Sequence, residues 1–416
     1  MTKRIVPTVI YFTVGIPLWV LNSQTPATAT VFFQGLGDLP GSIFSSDSSA
    51  VSADGSVVVG ASFSGNGLEG EAFRWTQDTG IVGLGDLPGG PFVSAAFDVS
   101  GDGSIVVGAS FSAASSSSTV IPPTEAFRWT AETGIIGLGD LPEGGFSSFA
   151  SGISSDGTVI VGNSNGPQGT EAFRWTAETG LVGLGDLPEG GFSSQAVRAS
   201  ADGSVIVGGG ISASGIEGFR WTEETGVVGV GDLPGGPFFS RAADVSADGS
   251  VIVGRSASAN SSGSAQIGNF SGTEAFVWTE ETGIVGILDL PGGGFFSRAF
   301  GVSGDGSIVV GQSEGFRGQE PFIWDRVNGM RPLLDVLIDD LELDLTGWTN
   351  LVAQDISDDN STVIGFGINP DGNTEGWIAR LTPASATVPE RSSVFSQLAI
   401  FGVIGLASAL KRKLKR

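Results

Sequence analysis

The stretch EAFRWTAETG occupies residues 125–134 and recurs unchanged at 171–180. Close variants occur at 71–80, 217–226 and 274–283. A segment that returns at a nearly fixed period indicates a repeat architecture, in which each copy belongs to one structural unit. The stretch therefore predicts a strand that every unit uses, rather than several copies of a catalytic site.

Two other segments follow the same period and bring the number of repeats to seven. The segment GLGDLP and its variants lie at 35–40, 83–88, 137–142, 183–188, 229–234, 286–291 and 332–337. A Ser-x-Asp-Gly segment, first seen as SADGSVVVG, lies at 52–60, 100–108, 154–162, 200–208, 246–254 and 303–311, and the seventh copy at 357–365 has Asn in place of Gly. The tryptophan element is carried by Trp75, Trp129, Trp175, Trp221, Trp278, Trp324 and Trp377, spaced 46 to 57 residues apart.

Each repeat is predicted to contain four short strands, as in the second unit at 81–88, 94–100, 104–110 and 125–130. Val, Ile, Phe and Trp favour strands, and the Asp-Gly and Glu-Thr-Gly pieces between them favour tight turns. A sheet that is apolar on both faces needs a neighbour on each side, and a ring supplies both. The sequence predicts an all-β, seven-bladed β-propeller over residues 30–381. A β-solenoid is the alternative, but its repeats are usually shorter and lack internal hairpins.

The alternation of a strand assigns side chains within the EAFRW segment. Phe73 and Trp75 are predicted on one face of the sheet, with the Trp packing between blades, and Ala72 and Arg74 on the other. Glu71 and Arg74 are a candidate ion pair.

Seven complete units would not require a shared closing strand, although residues 30–35 are placed to pair near the last blade. A structural role is predicted for the aspartates of the GLGDLP series, Asp38, Asp86, Asp140, Asp186, Asp232, Asp289 and Asp335.

The segments GLGDLPGG, VSADGSVVVG and EAFRWTxETG resemble the repeat of the HAF-repeat proteins, a family of predicted extracellular proteins. The resemblance covers nearly all of residues 30–381. It implies an extracellular repeat protein and does not imply an activity.

Composition excludes several kinds of chemistry. The chain has no Cys and no His, so thiol catalysis, disulfides and histidine bases or metal ligands are excluded. Between residues 30 and 387 there are twelve Arg, no Lys and 43 acidic residues, a balance that argues against a nucleic-acid partner. No cofactor is predicted. Calcium is a weak possibility, because the SADGS turns lack the closely spaced acids of a calcium loop.

The N-terminus has the form of a signal peptide, predicted at 1–29. Lys3 and Arg4 precede an apolar run, and Ala27-Thr28-Ala29 supplies the small residues of a cleavage site. This predicts the export machinery and signal peptidase as partners. An uncleaved membrane anchor is the alternative, which Pro7 and Pro17 disfavour.

The C-terminus is predicted to hold a linker at 382–393, a transmembrane helix at 394–410 and a basic cytoplasmic tail at 411–416. The motif Val388-Pro389-Glu390, the apolar helix and the basic end together resemble the PEP-CTERM sorting signal, with Arg391 where a second Pro is usual. The resemblance implies recognition and tail removal by an exosortase-like enzyme and a location in the cell envelope or outside it. An ordinary C-terminal anchor is the alternative.

Candidate ligand contacts lie where charge varies on a constant frame. Four residues before the turn aspartate, the first six repeats carry Ala50, Asp98, Gly152, Arg198, Asp244 and Gly301. Three residues earlier they carry Asp47, Ala95, Phe149, Gln195, Arg241 and Arg298. From these positions we single out Asp98, Arg198, Arg241, Asp244 and Arg298 as candidate ligand contacts; drift without function is the alternative.

Loop lengths indicate which face of the ring meets a partner. Loops after the first and third strands of a blade emerge on one face, and they include the Ser-rich segments 111–124 and 256–273 and the PGGPF segments at 88–92 and 234–238. The loops on the other face are uniformly short. We therefore expect partners on the face with the long loops, although Ser-rich insertions are also tolerated as surface decoration.

These observations favour an exported, envelope-associated, non-catalytic binding protein whose ligand is an extracellular glycan or matrix polymer. One alternative is a glycoside hydrolase that uses a pair of carboxylates such as Asp98 and Asp244. Another is a purely structural surface-layer component.

The two terminal signals predict the mass of the native protein. A chain cut after Ala29 and near Val388-Pro389-Glu390 loses both apolar ends, and intact mass spectrometry of fractionated cells would record that loss. A chain found in the membrane fraction with its tail retained would contradict the sorting signal and leave a plain anchor.

Overall fold

The computed structural model describes residues 31–41, 43–63, 70–112, 124–260 and 272–381. Their strands form seven four-stranded antiparallel sheets. The innermost strand of each sheet contacts the innermost strands of the two neighbouring sheets. The seventh sheet contacts the first sheet in the same way, so the sheets close into a ring. The predicted seven-bladed propeller is confirmed. Residues 30–383 form one compact unit.

The strands fall into four concentric classes. The innermost strands are β2 (Ser46–Val51), β6 (Ser94–Val99), β10 (Ser148–Ile153), β14 (Ser194–Ala199), β18 (Ser240–Val245), β22 (Gly292–Val302) and β26 (Thr349–Ile356). The second strands are β3 (Val57–Phe63), β7 (Ile105–Phe111), β11 (Ile160–Asn165), β15 (Ile206–Ser212), β19 (Val251–Ser256), β23 (Ile308–Gly315) and β27 (Thr362–Ile368). The third strands are β4 (Gly70–Thr76), β8 (Thr124–Thr130), β12 (Thr170–Thr176), β16 (Gly215–Thr222), β20 (Glu274–Thr279), β24 (Gly318–Asp325) and β28 (Thr374–Arg380). The outermost strands are β5 (Gly80–Gly83), β9 (Gly134–Gly137), β13 (Gly180–Gly185), β17 (Gly226–Gly229), β21 (Gly283–Gly286), β25 (Gly329–Pro332) and β1 (Phe32–Gly35).

Helical structure is confined, in the described part of the chain, to the link between the sixth and seventh blades. It consists of α1 (Leu333–Asp335) and a π-helical turn (Val336–Asp340). No described helix has the length and apolar character needed to cross a membrane. The predicted signal peptide, linker, transmembrane helix and basic tail lie outside the described residues.

The ring closes through the N-terminal strand. β1 pairs antiparallel with β28, so Phe32 lies opposite Arg380 and Gln34 opposite Ile378. The pairing expected near residues 30–35 is confirmed, but the expectation that each repeat completes its own blade is wrong. The seventh blade has three strands of its own and takes its outermost strand from the other end of the chain.

The reason is that the GLGDLP segment begins at the end of the outermost strand of one blade and continues as the loop to the next blade, so its predicted place in a first strand is wrong. β5 ends the first blade at Gly83, and Gly85 then adopts a positive φ of 81° that breaks the strand. Glu71 Oε1 accepts the Gly85 N–H at 3.0 Å, and Ser94 Oγ of the next blade donates to the Gly85 carbonyl at 2.6 Å. Leu87 is buried between the two blades. Each repeat therefore straddles two blades.

The same contacts correct the predicted Glu71–Arg74 ion pair. Glu71 binds the loop backbone, and Arg74 Nε donates to the Gly103 carbonyl in the turn of the second blade, at 3.1 Å. In the described chain these two side chains therefore serve different neighbours. Both link one blade to the next.

The core lies between blades, as the EAFRW alternation predicts. Phe73 and Trp75 pack with Ile364 and Ile378 of the seventh blade, whereas Ala72 packs against the second blade. The equivalent aromatic side chain is fully buried in every blade, at Phe73, Phe127, Phe173, Phe219, Phe276, Phe322 and Trp377.

Trp377 departs from the predicted alignment. It lies opposite Gly365, as Phe73 lies opposite Gly60, so it takes the phenylalanine position of the repeat rather than the tryptophan position. A Cβ on Gly60 would collide with the Asp47 carbonyl oxygen and crowd the Phe73 ring. The final Gly of SVVVG is therefore required where the second strand passes between its neighbour and the buried ring.

The Asp-Gly turns between the two inner strands form as predicted. In the first blade, Asp54 Oδ1 accepts the Ser52 hydroxyl at 3.0 Å and the Ser56 N–H at 2.9 Å, and Gly55 has a φ of 71°. The turns also bind one another in a closed circle of seven backbone hydrogen bonds. The donor and acceptor pairs are Ala53 and Gly101, Gly101 and Ser155, Asp156 and Ala201, Ala201 and Ala247, Ala247 and Gly304, Gly304 and Asp358, and Asp359 and Ala53.

Removing the aromatic anchor of β1 should weaken the whole ring. The Phe33 ring lies 5.3 Å from that of Trp348 and 5.5 Å from that of Trp377, centroid to centroid. We expect Phe33→Ala to lower the free energy of unfolding by about 2–3 kcal/mol in urea titrations. Phe316→Ala is the control, because Phe316 is 82% exposed. Equal effects of the two substitutions would show that β1 does not hold the ring together.

Candidate functional site: a cavity in the central channel

The seven innermost strands line a central channel, and each contains a bulge at the same place. The bulge leaves one residue per blade without a partner on the second strand. These residues are Ser49, Phe97, Ser151, Val197, Ala243, Phe300 and Gln354, and all seven line a cavity of about 540 Å³. A bulge re-aims a side chain out of the regular alternation of a strand. Here it gives every blade one variable residue in the same cavity.

The cavity lies at the end of the channel where the innermost strands begin. Its lining includes Phe149 and Arg241, which are near the starts of β10 and β18. Because neighbouring strands are antiparallel, β7 and β19 end on this face, and the Ser-rich segments follow them. The two-face arrangement predicted from loop lengths is therefore present, although residues 113–123 and 261–271 lie outside the described part of the chain.

A buried ionic cluster forms the floor of the cavity. Arg198 Nε lies 3.9 Å from Asp98 Oδ2 and 4.0 Å from Asp244 Oδ1. Arg198 lines both the large cavity and a smaller one of about 60 Å³ on the side of the Asp-Gly turns, where Asp355 also lies. The Arg198 side chain is 20% exposed, and it separates the two spaces.

The acids of this cluster connect neighbouring blades. Asp98 Oδ2 accepts the N–H of Ile153 at 2.8 Å, Asp244 Oδ2 that of Val302 at 2.8 Å, and Asp355 Oδ2 that of Val51 at 3.1 Å. The second oxygen of each carboxylate accepts the N–H of the residue that follows it in its own strand.

The next blade carries a small residue wherever an acid reaches across to it. Gly152, Gly301 and Ala50 follow Asp98, Asp244 and Asp355 around the ring, respectively. At Gly301 a Cβ would lie 3.0 Å from Asp355 Oδ1, so a larger side chain there would crowd the cluster. The space at Gly301 is thus needed by Asp355 of the following blade, whereas Asp244 reaches the sixth blade through the Val302 N–H.

Arg198 occupies the same position in the fourth blade. Its Nη1 donates to the Ser151 carbonyl at 2.8 Å and to the Val197 carbonyl at 3.3 Å. The guanidinium thus places one positive charge among three facing carboxylates, and it ties the third blade to the fourth.

Burial raises the pKa of all three carboxyl groups, against the opposing effect of the Arg198 charge. The pKa of Asp244 is raised to about 7. Asp355 is raised well above its ordinary value, first by burial and then by the charge of Asp244. One guanidinium does not compensate three desolvated carboxylates, so the cluster favours holding protons near neutral pH.

The other predicted contacts, Arg241 and Arg298, lie in the wall of the large cavity and not in the ionic cluster. The structure therefore divides the five candidates into a floor of Asp98, Arg198 and Asp244 and a wall of Arg241 and Arg298. Contact of any of the five with a ligand stays a prediction.

Two members of the site were missed in the sequence. Asp355 is the seventh residue of the position that holds Asp98, four residues before Asp359. Arg255 lies directly opposite Arg241 on β19 and also lines the cavity. Comparing the residue that follows the glycine in the VVVGAS segments would have found Arg255. It follows Gly254, where other repeats have Ala61, Ala109 or Asn163.

The described residues contain no group of three acids arranged to hold a metal ion. In the floor cluster, the Arg198 guanidinium lies between carboxylates that would otherwise be the nearest oxygen ligands.

No family model and no curated protein matches the chain. Solved structures that resemble it include TolB from Acinetobacter baumannii, at 14% identity and a TM-score of 0.38, with 58% of this chain and 52% of that one covered. The tricorn protease is similar at 14% identity and a TM-score of 0.47, covering 85% and 34%. The β-propeller domain of the Trilobed protease from Pyrococcus furiosus is similar at 12% identity and a TM-score of 0.45, covering 88% and 99%. This chain spans about half of the TolB chain, and likenesses this distant carry no argument about function.

The floor cluster predicts how stability depends on pH. A carboxyl group with a raised pKa holds its proton in the folded state at a pH where the unfolded chain has released it. Its contribution is therefore complete below pH 4 and is lost as the pH rises through its folded pKa, by up to about 1.4 kcal/mol per pH unit and group. We expect the free energy of unfolding to fall between pH 5 and pH 8.

The variant Asp244→Asn should flatten this slope in urea titrations, even if it lowers stability overall. Asp78→Asn, in an exposed turn, should leave the slope unchanged. The pKa of turn acids such as Asp102 is lowered by hydrogen bonds from Ser104, so these groups act below pH 4 and outside this window. Stability that rises from pH 5 to pH 8 would contradict the assignment.

Proposed function

We propose that this chain is an exported, envelope-associated β-propeller that binds an extracellular ligand, without catalysis, in the large channel cavity. The observation that carries the proposal is the set of seven bulge residues. The frame around them is constant, yet they comprise Ser, Phe, Val, Ala and Gln side chains that all line one space. A repeated frame that presents different side chains to a shared cavity is suited to selecting a ligand.

The size and lining of the cavity support a small molecule or the end of a polymer. A volume of about 540 Å³ lies in the range of small-molecule sites, which combine apolar walls with a few polar groups. Phe97, Phe149 and Phe300 supply flat apolar surface, and Asn163 and Gln354 supply amides. A glycan or matrix polymer that presents a terminal unit fits this combination.

The terminal sequences support the exported location. The proposal takes the N-terminal segment as a signal peptide cut after Ala29. It takes Val388-Pro389-Glu390 as a sorting motif for an exosortase-like enzyme, which would place the ring in the cell envelope or outside it. The HAF-type repeat supports the same location by resemblance.

A carboxylate-dependent glycoside hydrolase is the second candidate, and Asp244 is the observation that favours it. A pKa of about 7 suits a general acid. However, both oxygens of Asp244 already accept backbone N–H groups, as do both oxygens of Asp98. If this candidate holds, Asp98→Asn and Asp244→Asn would each abolish polysaccharide cleavage. A surface-layer role would instead show as self-association of the ring at low protein concentration.

The binding proposal is tested by a glycan array probed with residues 30–383, with and without calcium. We expect binding that Phe97→Ala and Phe300→Ala each weaken about tenfold, since a buried aromatic contact is worth about 1.5–3 kcal/mol. Val327→Ala is the matched control, because Val327 is 91% exposed and lies on the face with the short turns. Binding that survives both Phe substitutions would move the site out of the cavity, and an array without hits would count against a glycan ligand.

A further inference from the structure

Arginine is concentrated in the wall and floor of the large cavity. Among the described residues, the lining contains Arg198, Arg241, Arg255 and Arg298 and no acidic residue. These are four of the twelve arginines between residues 30 and 387, a segment that carries 43 acidic residues. One third of the arginines of this acidic ring therefore line a single cavity.

Arg198 is the member of this set that faces the carboxylates of the floor. The contacts of Arg198 with Asp98 and Asp244 lie below the cavity, whereas Arg241, Arg255 and Arg298 belong to the fifth and sixth blades and form one side of its wall. We call these three residues the arginine wall.

The arginine wall has an energetic cost in the empty protein. Arg241 and Arg255 are directly opposite each other on β18 and β19, an arrangement in which like charges destabilise a sheet. Burial, then Arg298 and Arg241, lower the pKa of Arg255 to about 10, which leaves it charged at neutral pH. The Nε atoms of Arg241 and Arg298 are buried and donate no hydrogen bond. Buried donors without an acceptor are expensive, so the packing around these two guanidinium groups is costly.

Arg298 is also held in position before any ligand arrives. Its Nη2 donates to Gln312 Oε1 at 2.6 Å, and its guanidinium carbon lies 4.7 Å from the centre of the Phe300 ring and 5.7 Å from that of Phe296. The Phe300 contact and the Gln312 hydrogen bond together hold the guanidinium beside a bulge residue of the cavity. A fixed planar fork is suited to a carboxylate or phosphate group, which it can bind through two parallel hydrogen bonds.

We propose that the arginine wall is an oxyanion subsite that takes the carboxylate of an acidic sugar unit, with the cavity phenylalanines against its ring. The proposal rests on the cavity being the binding site, and it names the class of ligand. Phosphate shares the oxyanion chemistry and is the other source that the experiment distinguishes. The acidic surface elsewhere on the ring would repel a polyanion, so the subsite is suited to one charged end unit rather than a long charged chain.

Titration calorimetry with galacturonate, glucose and inorganic phosphate tests the subsite in residues 30–383 at constant ionic strength. We expect galacturonate to bind and glucose to bind at least tenfold more weakly. Arg241→Gln and Arg298→Gln should each reduce galacturonate affinity about tenfold or more. The control Arg326→Gln makes the same charge change at an exposed turn and should leave the affinity unchanged.

A stability measurement separates a lost contact from a lost fold. Because Arg241 faces Arg255, Arg241→Gln should leave the melting temperature equal or higher while it weakens anion binding. In the parent chain, galacturonate should raise the melting temperature, as a ligand of the folded state does. Phosphate that binds and depends on both arginines, with no galacturonate binding, would retain the oxyanion subsite and overturn the sugar assignment.

Equal binding of glucose and galacturonate, or full affinity in both arginine variants, would overturn the subsite but leave the binding proposal intact. The same holds if neutral glycans bind in the cavity and neither anion binds. Loss of all glycan binding, with the arginine wall still taking phosphate, would instead contradict the glycan proposal and keep the oxyanion chemistry.

Discussion

Every blade of this ring depends on both of its neighbours, because the apolar side chains of its sheet point to both faces. Phe73 packs toward the seventh blade and Ala72 toward the second, so neither face of the first sheet is covered by its own residues. A linear stack would leave two apolar ends exposed, and the ring removes both. The circle of turn hydrogen bonds and the pairing of β1 with β28 complete the same closure at the channel and at the rim.

Closure separates the structural parts of the repeat from the variable ones. Glu71, Ser94 and Leu87 hold the loop between blades, and Asp54 holds the turn, so these recurrent motif residues are engaged within the frame. The bulge then directs one residue per blade into the channel, where no repeat rule constrains it. The floor cluster and the arginine wall lie beside these bulge residues, at paired positions of the two inner strands whose residue types also vary between repeats. In the floor, three carboxylates share the Arg198 guanidinium, whereas the described lining of the large cavity carries arginines and no acidic residue.

Much of the fold could be predicted from the sequence because the signals are local. Strand alternation places Phe73 and Trp75 on one face, and Asp-Gly marks the hairpin in six repeats, with Asp359-Asn360 in the seventh. The point in each repeat at which one blade ends and the next begins could not be predicted this way. GLGDLP has the apolar residues of a strand, and it becomes a loop only through contacts with Glu71 and Ser94. The functional site could be predicted only in part, because its residues are brought together by strand pairing. Repeat comparison singled out Arg241, but its place opposite Arg255 depends on the register of β18 and β19 across the Asp248-Gly249 turn, which the bulge at Ala243 shifts by one residue.

Hydrogen exchange of the N-terminal strand, followed by mass spectrometry, tests ring closure most directly. In the closed ring, the Leu36 N–H donates to the Gly376 carbonyl at 2.8 Å and the Gly37 N–H donates to Glu375 at 2.9 Å. We predict that peptides covering residues 31–37 are protected to the same degree as peptides from β28, because both open only when the ring opens. Exchange of residues 31–37 at the rate of an unstructured chain, with β28 still protected, would contradict the closed ring from which the cavity is built.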